Sequence, residues 1–171
     1  MQSLGVGRIP EDRHHDGVVG AMSVAENLVI ERLQDKDVNK NGFLQNRAIK
    51  ENAEALIEKY DIRGPGIDAK ASLLSGGNIQ KLILARVFEC KPNVILANQP
   101  TRGLDLGAAN EVARHLLEAR GRGAGVLLIS EDLDEILALS DRIMVIHNGS
   151  LIETVNKDRE VIGLMMAGEK I

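Results

Sequence analysis

The run Leu73-Leu74-Ser75-Gly76-Gly77-Asn78-Ile79-Gln80-Lys81-Leu82-Ile83-Leu84-Ala85-Arg86 constrains this chain more than any other stretch. Ser75 stands at a helix N-cap, where its side-chain oxygen is expected to accept an N–H of the first turn. Gly76 and Gly77 put no Cβ between an approaching anion and the backbone. Ile79, Leu82, Ile83 and Val87 follow at helical spacing, so one face packs inward. The helix therefore opens its positive end and free N–H groups onto a glycine-lined surface suited to phosphate. On its own, Ser-Gly-Gly marks only a helix start; its flanks decide whether it is more.

Size and composition allow a folded core. The chain has 171 residues, 44% apolar and 27% charged, with a net charge of −4. This is the profile of a soluble globular protein, without the basic balance of a nucleic-acid surface. With two Phe, one Tyr and no Trp, aliphatic side chains must fill the interior. No apolar run reaches the roughly 18 residues of a membrane span. Cys90 has no partner for an internal disulfide and is expected to be a buried core thiol.

In chain order, Gly5 to Gly17 reads as a strand end and a charged, Pro-containing loop. His14 and His15 are neighbours whose side chains diverge, which favours a solvated loop over a metal site. Ser23 and Glu26 form a capping box ahead of a helix. A polar loop at 34–42 precedes a second helix at 44–60, with Leu44, Ala48, Ala55, Leu56 and Ile57 expected inside. From Pro92 the period changes. Val94–Ala97 reads as a buried strand, Gly107–Arg120 as a helix with Val112, Leu116 and Leu117 inward, and Gly125–Ser130 as a strand. Asp132–Leu139 reads as a short helix and Arg142–His147 as a third strand. Asn148-Gly149 is a hairpin signal returning Leu151–Val155 as an antiparallel edge. A helix over 158–167 closes the order. Alternating strands and helices predict an α/β fold with a parallel sheet flanked by helices.

Two of these stretches resemble a known family. Leu74-Ser75-Gly76-Gly77-Asn78 through Arg86 is similar to the signature motif of ATP-binding-cassette (ABC) transporter ATPases. Val94-Ile95-Leu96-Ala97-Asn98-Gln99-Pro100-Thr101-Arg102-Gly103-Leu104-Asp105 resembles that family's Walker B strand and D-loop, in the right order and spacing. The resemblance extends over nearly the whole chain. It implies a partial P-loop NTPase fold in three parts: residues 1–19 as the Q-loop region, 20–91 as an α-helical subdomain ending in the signature helix, and 92–171 as the C-terminal part of the ATPase core. No Gly-x-x-x-x-Gly-Lys-[Ser/Thr] phosphate loop occurs in these residues. The chain therefore reads as the C-terminal piece of a cassette, expected not to bind ATP tightly alone.

The resemblance also implies roles, and several are degenerate. Glu11 falls at the Q-loop glutamine. Asn98 stands at the Walker B aspartate and Gln99 at the catalytic glutamate, both isosteric and uncharged. A neutral amide is a poor ligand for Mg²⁺ and cannot act as a general base. Glu131 occupies the switch-histidine position, where its charge would repel a γ-phosphate. Ser75, Gly76, Gly77 and Asn78 remain as the signature for ATP bound in trans, and Asp105 remains in the D-loop. The segments around Pro10–Arg13, Ser23–Leu28 and Ser130–Ile143 resemble the second cassette of double-cassette importers for simple sugars or nucleosides.

The expected partners are thus another nucleotide-binding domain, transmembrane permease subunits and, indirectly, a solute-binding protein, on the inner face of the cell membrane, with no nucleic acid. Self-association of the chain through its open sheet is also expected. A non-catalytic half used for dimerisation and coupling is the competing expectation. A soluble ABC protein of DNA repair or translation is disfavoured by the transporter-type segments.

Overall fold

The computed structural model describes residues 5–169. By their internal packing these fall into two units, the chain passing from one to the other after Leu127, within the strand at Gly125–Ile129.

The first unit begins with β1 (Val6–Ile9), one turn of π-helix at Arg13–Gly17, and α1 (Val24–Val29). The capping box starts α1 as expected: Ser23 Oγ accepts from Glu26 N at 3.2 Å, while Glu26 Oε2 accepts from Ser23 N at 2.7 Å. A two-residue ribbon follows, β2 (Asn39–Lys40) against β3 (Phe43–Leu44), and then α2 (Asn46–Lys59). The inward face of α2 is Ile49, Ala53 and Leu56. Leu44 lies on the exposed ribbon and Ala55 faces solvent, so the expected face was set from the wrong starting residue. Next come α3 (Gly76–Glu89), β4 (Val94–Asn98), α4 (Leu106–Gly121) and β5 (Gly125–Ile129).

Helix α3 is the spine of this unit. Ile79, Leu82, Ile83 and Val87 have no exposed surface, as their spacing predicted. Gly17 lies so close beneath it that a Cβ there would come within 2.4 Å of Ile83 Cδ1, and buried Arg86 donates to the Gly17 carbonyl at 2.7 Å. Cys90, expected in the core, is exposed because α3 has already left it. On α4, Val112, Leu116 and Ala119 are buried, whereas Leu117 is 42% exposed. The sheet order is β1-β4-β5, and β1 pairs with β4 in parallel from Val6↔Val94 to Ile9↔Ala97.

The second unit holds α5 (Leu133–Leu139), β6 (Ile143–His147), β7 (Ser150–Thr154) and α6 (Arg159–Ala167). Ile143, Val145 and Ile162 form its core with Leu133, Ile136, Leu137 and Met165 packed around them. Asn148 and Gly149 take φ of 45° and 76°, the left-handed pair of a two-residue turn. The expected third parallel strand, β6, pairs with β7 as an antiparallel hairpin outside the three-stranded sheet. The tight turn satisfies its backbone groups locally.

Candidate functional site at the mouth of α3

The mouth of α3 departs from the capping predicted for it. Ser75 is the N-cap, with extended φ and ψ of −66° and 157°, but its side chain accepts no first-turn N–H. Asn78 Nδ2 donates to Ser75 Oγ instead, at 2.9 Å. The other end of the Asn78 amide, Oδ1, accepts from Arg63 N at 2.7 Å. The N–H groups of Gly76, Gly77 and Asn78 have no acceptor among the described residues. These are the donors a helix leaves open at its positive end. The surface is open at Gly77, where nothing lies within 4 Å of a built Cβ, whereas Gly76 lies against His14 and Arg13.

Ser75, Gly77 and Asn78 share a half-open cleft of about 660 Å³ with Asp105, Gly107, Arg63, Lys81 and His115. Asp105 is the N-cap of α4 and accepts from Ala108 N at 2.9 Å. Lys81 is held by Asp61, whose carboxyl is lowered below its ordinary range first by the hydrogen bond from Lys81 and then by that from Arg63. The His115 ring, which lines this cleft, stacks on Tyr60 and on Phe88 at centroid distances of 5.1 and 5.0 Å. Burial is the main cause pushing the His115 imidazole below its ordinary value, helped by Arg114. Sequence reasoning missed this stack, because Tyr60, Phe88 and His115 lie on three separate segments that only the fold brings together.

A second set of contacts ties the turn after β4 to the same mouth. Buried Gln80, one turn into α3, donates to the Pro100 carbonyl at 2.7 Å. Arg13 donates to the carbonyls of Arg102 at 2.7 Å and Gly76 at 3.4 Å. Gly103, at φ 67°, passes beneath this guanidinium, which a Cβ would approach to 3.2 Å. Glu11 pairs with the Arg102 guanidinium. Glu11, Arg13, Gly76 and Arg102 thus form one polar cluster, in which the importance of both arginines was not anticipated.

Asn98 ends β4 and Gln99 begins the following turn, both half-buried. Gln99 sits at φ 49°, a left-handed conformation that a side chain with a Cβ adopts only at a cost. Neither residue offers a carboxylate, so the pair does not fit Mg²⁺ in the way the family's acidic pair does. Among the described residues no group of three or more His, Cys, Asp and Glu is arranged to hold a metal. Glu131 is exposed in the second unit, just ahead of α5, whose N-cap Asp132 accepts from Asp134 N at 2.8 Å.

The comparisons with known proteins fall on this same frame. The dimeric post-hydrolysis structure of the ATP-binding cassette MJ0796, bound to ADP and Pi, superposes with a TM-score of 0.68 at 19% identity, over 86% of this chain and 62% of that one. The cassette MJ1267 of an ABC transporter matches with a TM-score of 0.63 at 25% identity, over 97% and 66%. The fold is that of an ATP-binding cassette. No family model matches the chain. In sequence it is 44% identical over 169 residues to the nucleoside import ATP-binding protein NupA of Lactococcus lactis subsp. cremoris, covering 97% of this chain and 33% of that protein. It is 45% identical over 169 residues to the glucose import ATP-binding protein TsgD13 of Haloferax volcanii, covering 96% and 31%. The guanosine import ATP-binding protein NupO of Bacillus subtilis is 42% identical over 167 residues, covering 96% and 33%. The chain thus spans about a third of the length of these relatives. Among the described residues no helix is long and apolar enough to cross a membrane.

Proposed function

We propose that this chain is part of the ATP-binding subunit of an ABC importer for nucleosides or simple sugars, and that it lends its signature helix to ATP held by another cassette. The observation that carries the reading is the donor-only mouth of α3. Ser75, Gly77 and Asn78 line an accessible cleft, and no side-chain cap consumes the first-turn amides of the helix. Oriented donors on a helix dipole match phosphate oxygens whose negative charge must be stabilised as they transfer. In this reading Ser75, Gly76 and Gly77 contact the triphosphate, and Asp105 reaches toward the neighbouring cassette.

The chain's own acidic machinery is neutralised. Asn98 and Gln99 can hydrogen-bond a water but cannot take its proton, so the hydrolytic base belongs to the other site. ATP is the cofactor of the assembled transporter, and Mg²⁺ enters with it at that other site. In this proposal residues 1–19 act as the Q-loop region, 20–91 as the helical subdomain and 92–171 as the rest of the core. The partners are a second nucleotide-binding domain and the permease subunits at the inner membrane face, with the solute-binding protein acting indirectly. Self-association of the isolated chain, measured by light scattering, is a further expectation of the open sheet.

The test is ATP hydrolysis by the assembled full-length importer carrying Ser75→Arg. A guanidinium at the mouth fills the donor surface, and activity is expected to fall at least 100-fold with assembly intact. Undiminished hydrolysis would leave only the competing reading, a structural half that supports dimerisation and coupling.

A further inference from the structure

The mouth of α3 needs a device that keeps Ser75 from behaving as an ordinary cap, and Asn78 is placed to be that device. A serine at an N-cap normally accepts an N–H of the first turn, which removes one donor from the helix end. Here Asn78 Nδ2 donates to Ser75 Oγ at 2.9 Å, and no first-turn N–H does. The orientation of the Asn78 amide is not ambiguous: the atom facing Arg63 N at 2.7 Å must be the acceptor Oδ1, because a backbone N–H can only donate. That fixes Nδ2 on Ser75 Oγ, so the hydroxyl accepts from Asn78 and has its own proton left to donate.

We infer that Asn78 is a positioning residue, which turns the Ser75 hydroxyl into an oriented donor for a phosphate oxygen while keeping the first-turn amides unclaimed. The inference deepens the signature-in-trans reading and rests on it. It changes the role expected of Asn78 itself: its Oδ1 is held by Arg63 N and one Nδ2 proton by Ser75 Oγ, which places it to act through Ser75. The anchor is the backbone of Arg63, in the segment joining α2 to α3, which shares the cleft with Ser75. The position of that segment is thereby coupled to the direction of the hydroxyl.

The test is a cycle of Ser75→Ala and Asn78→Ala in the assembled full-length importer, read as kcat and KM for ATP, beside Asn78→Asp. Asn78→Ala is expected to lower kcat about tenfold, yet to change it less than twofold when Ser75 is already alanine. Asn78→Asp is isosteric and places a carboxylate favourably in the first helical turn, so its melting temperature should match or exceed that of the parent. It retains an acceptor for Arg63 N and loses the donor to Ser75, and hydrolysis should fall about 100-fold. Exchange of the Arg63 amide proton should quicken in Asn78→Ala and stay slow in Asn78→Asp.

Equal losses from Asn78→Ala in both backgrounds would mean that Asn78 touches the nucleotide directly, and would overturn the positioning role alone. A loss that merely tracks melting temperature would overturn it in favour of a structural role. Full activity in both Ser75→Ala and Ser75→Arg would instead remove the signature-in-trans reading, and this inference with it.

Discussion

Two serines in this chain start helices with a polar residue three positions later, and they are used in opposite ways. Ser23 and Glu26 close on each other and on the backbone, and Val24 N and Ala25 N donate to the carbonyls of Ala69 and Ile67, so α1 begins with its donors satisfied. The Glu26 carboxyl is lowered below its ordinary range mainly by the hydrogen bond from Ser23 N. At α3 the corresponding pair, Ser75 and Asn78, bond side chain to side chain and leave the backbone N–H groups open. The chemical difference is small. A carboxylate can only accept, so Glu26 turns back to an N–H; an amide can donate, so Asn78 occupies the serine instead. One arrangement stabilises a helix end and the other preserves a surface of donors.

The largest effect that would break this comparison is at Gly77. A Cβ at that position meets nothing within 4 Å, and an acidic residue in the first turn favours the helix. Gly77→Asp should therefore leave the melting temperature equal or higher while reducing ATP hydrolysis by the assembled importer more than 100-fold. Loss of folding and activity together would place Gly77 in structure only. Next, Asn98→Asp combined with Gln99→Glu should fail to rescue hydrolysis in Ser75→Arg; rescue would show that catalysis can run in this chain's own site. By contrast, Ser23→Ala should cost about 1 kcal/mol of stability, measured by denaturant unfolding, with the hydrolysis rate of the assembly unchanged. A change in rate would mean that α1 is not the purely structural member of the pair.

The smallest effect is a pH dependence. Burial holds the His115 imidazole, stacked on Tyr60 and on Phe88, below its ordinary value. The unfolded chain therefore binds this proton more readily, and stability is lost as pH falls below about 6.5, the unperturbed histidine value. Measured against His115→Phe, the parent should lose a few degrees of melting temperature between about pH 7 and about pH 5. Parallel pH curves for the two proteins would contradict this.

Much of the fold was legible because its elements announce themselves locally. The α3 face, the Ser23 capping box and the Asn148-Gly149 turn each depend on residues close in sequence. The inward face of α2 was misjudged because Leu44 precedes the helix, and periodicity counted from it rotates the face. Cys90 and Leu117 were misjudged because their exposure depends on what packs beside a helix end. At the site, Ser75, Gly76, Gly77, Asn78 and Asp105 were all singled out, and four of them line one cleft. The Arg13 contacts to Gly76 and Arg102, and the hold of Asn78 on Arg63, join segments far apart in sequence. No local pattern encodes them.

The most direct measurement of the central claim is photolabelling of the assembled full-length importer with an ATP analogue that carries its reactive group on the γ-phosphate. The label is expected within residues 73–81 and should disappear in Gly77→Asp. Labelling that bypasses this segment and lands at Asn98 and Gln99 would contradict the account.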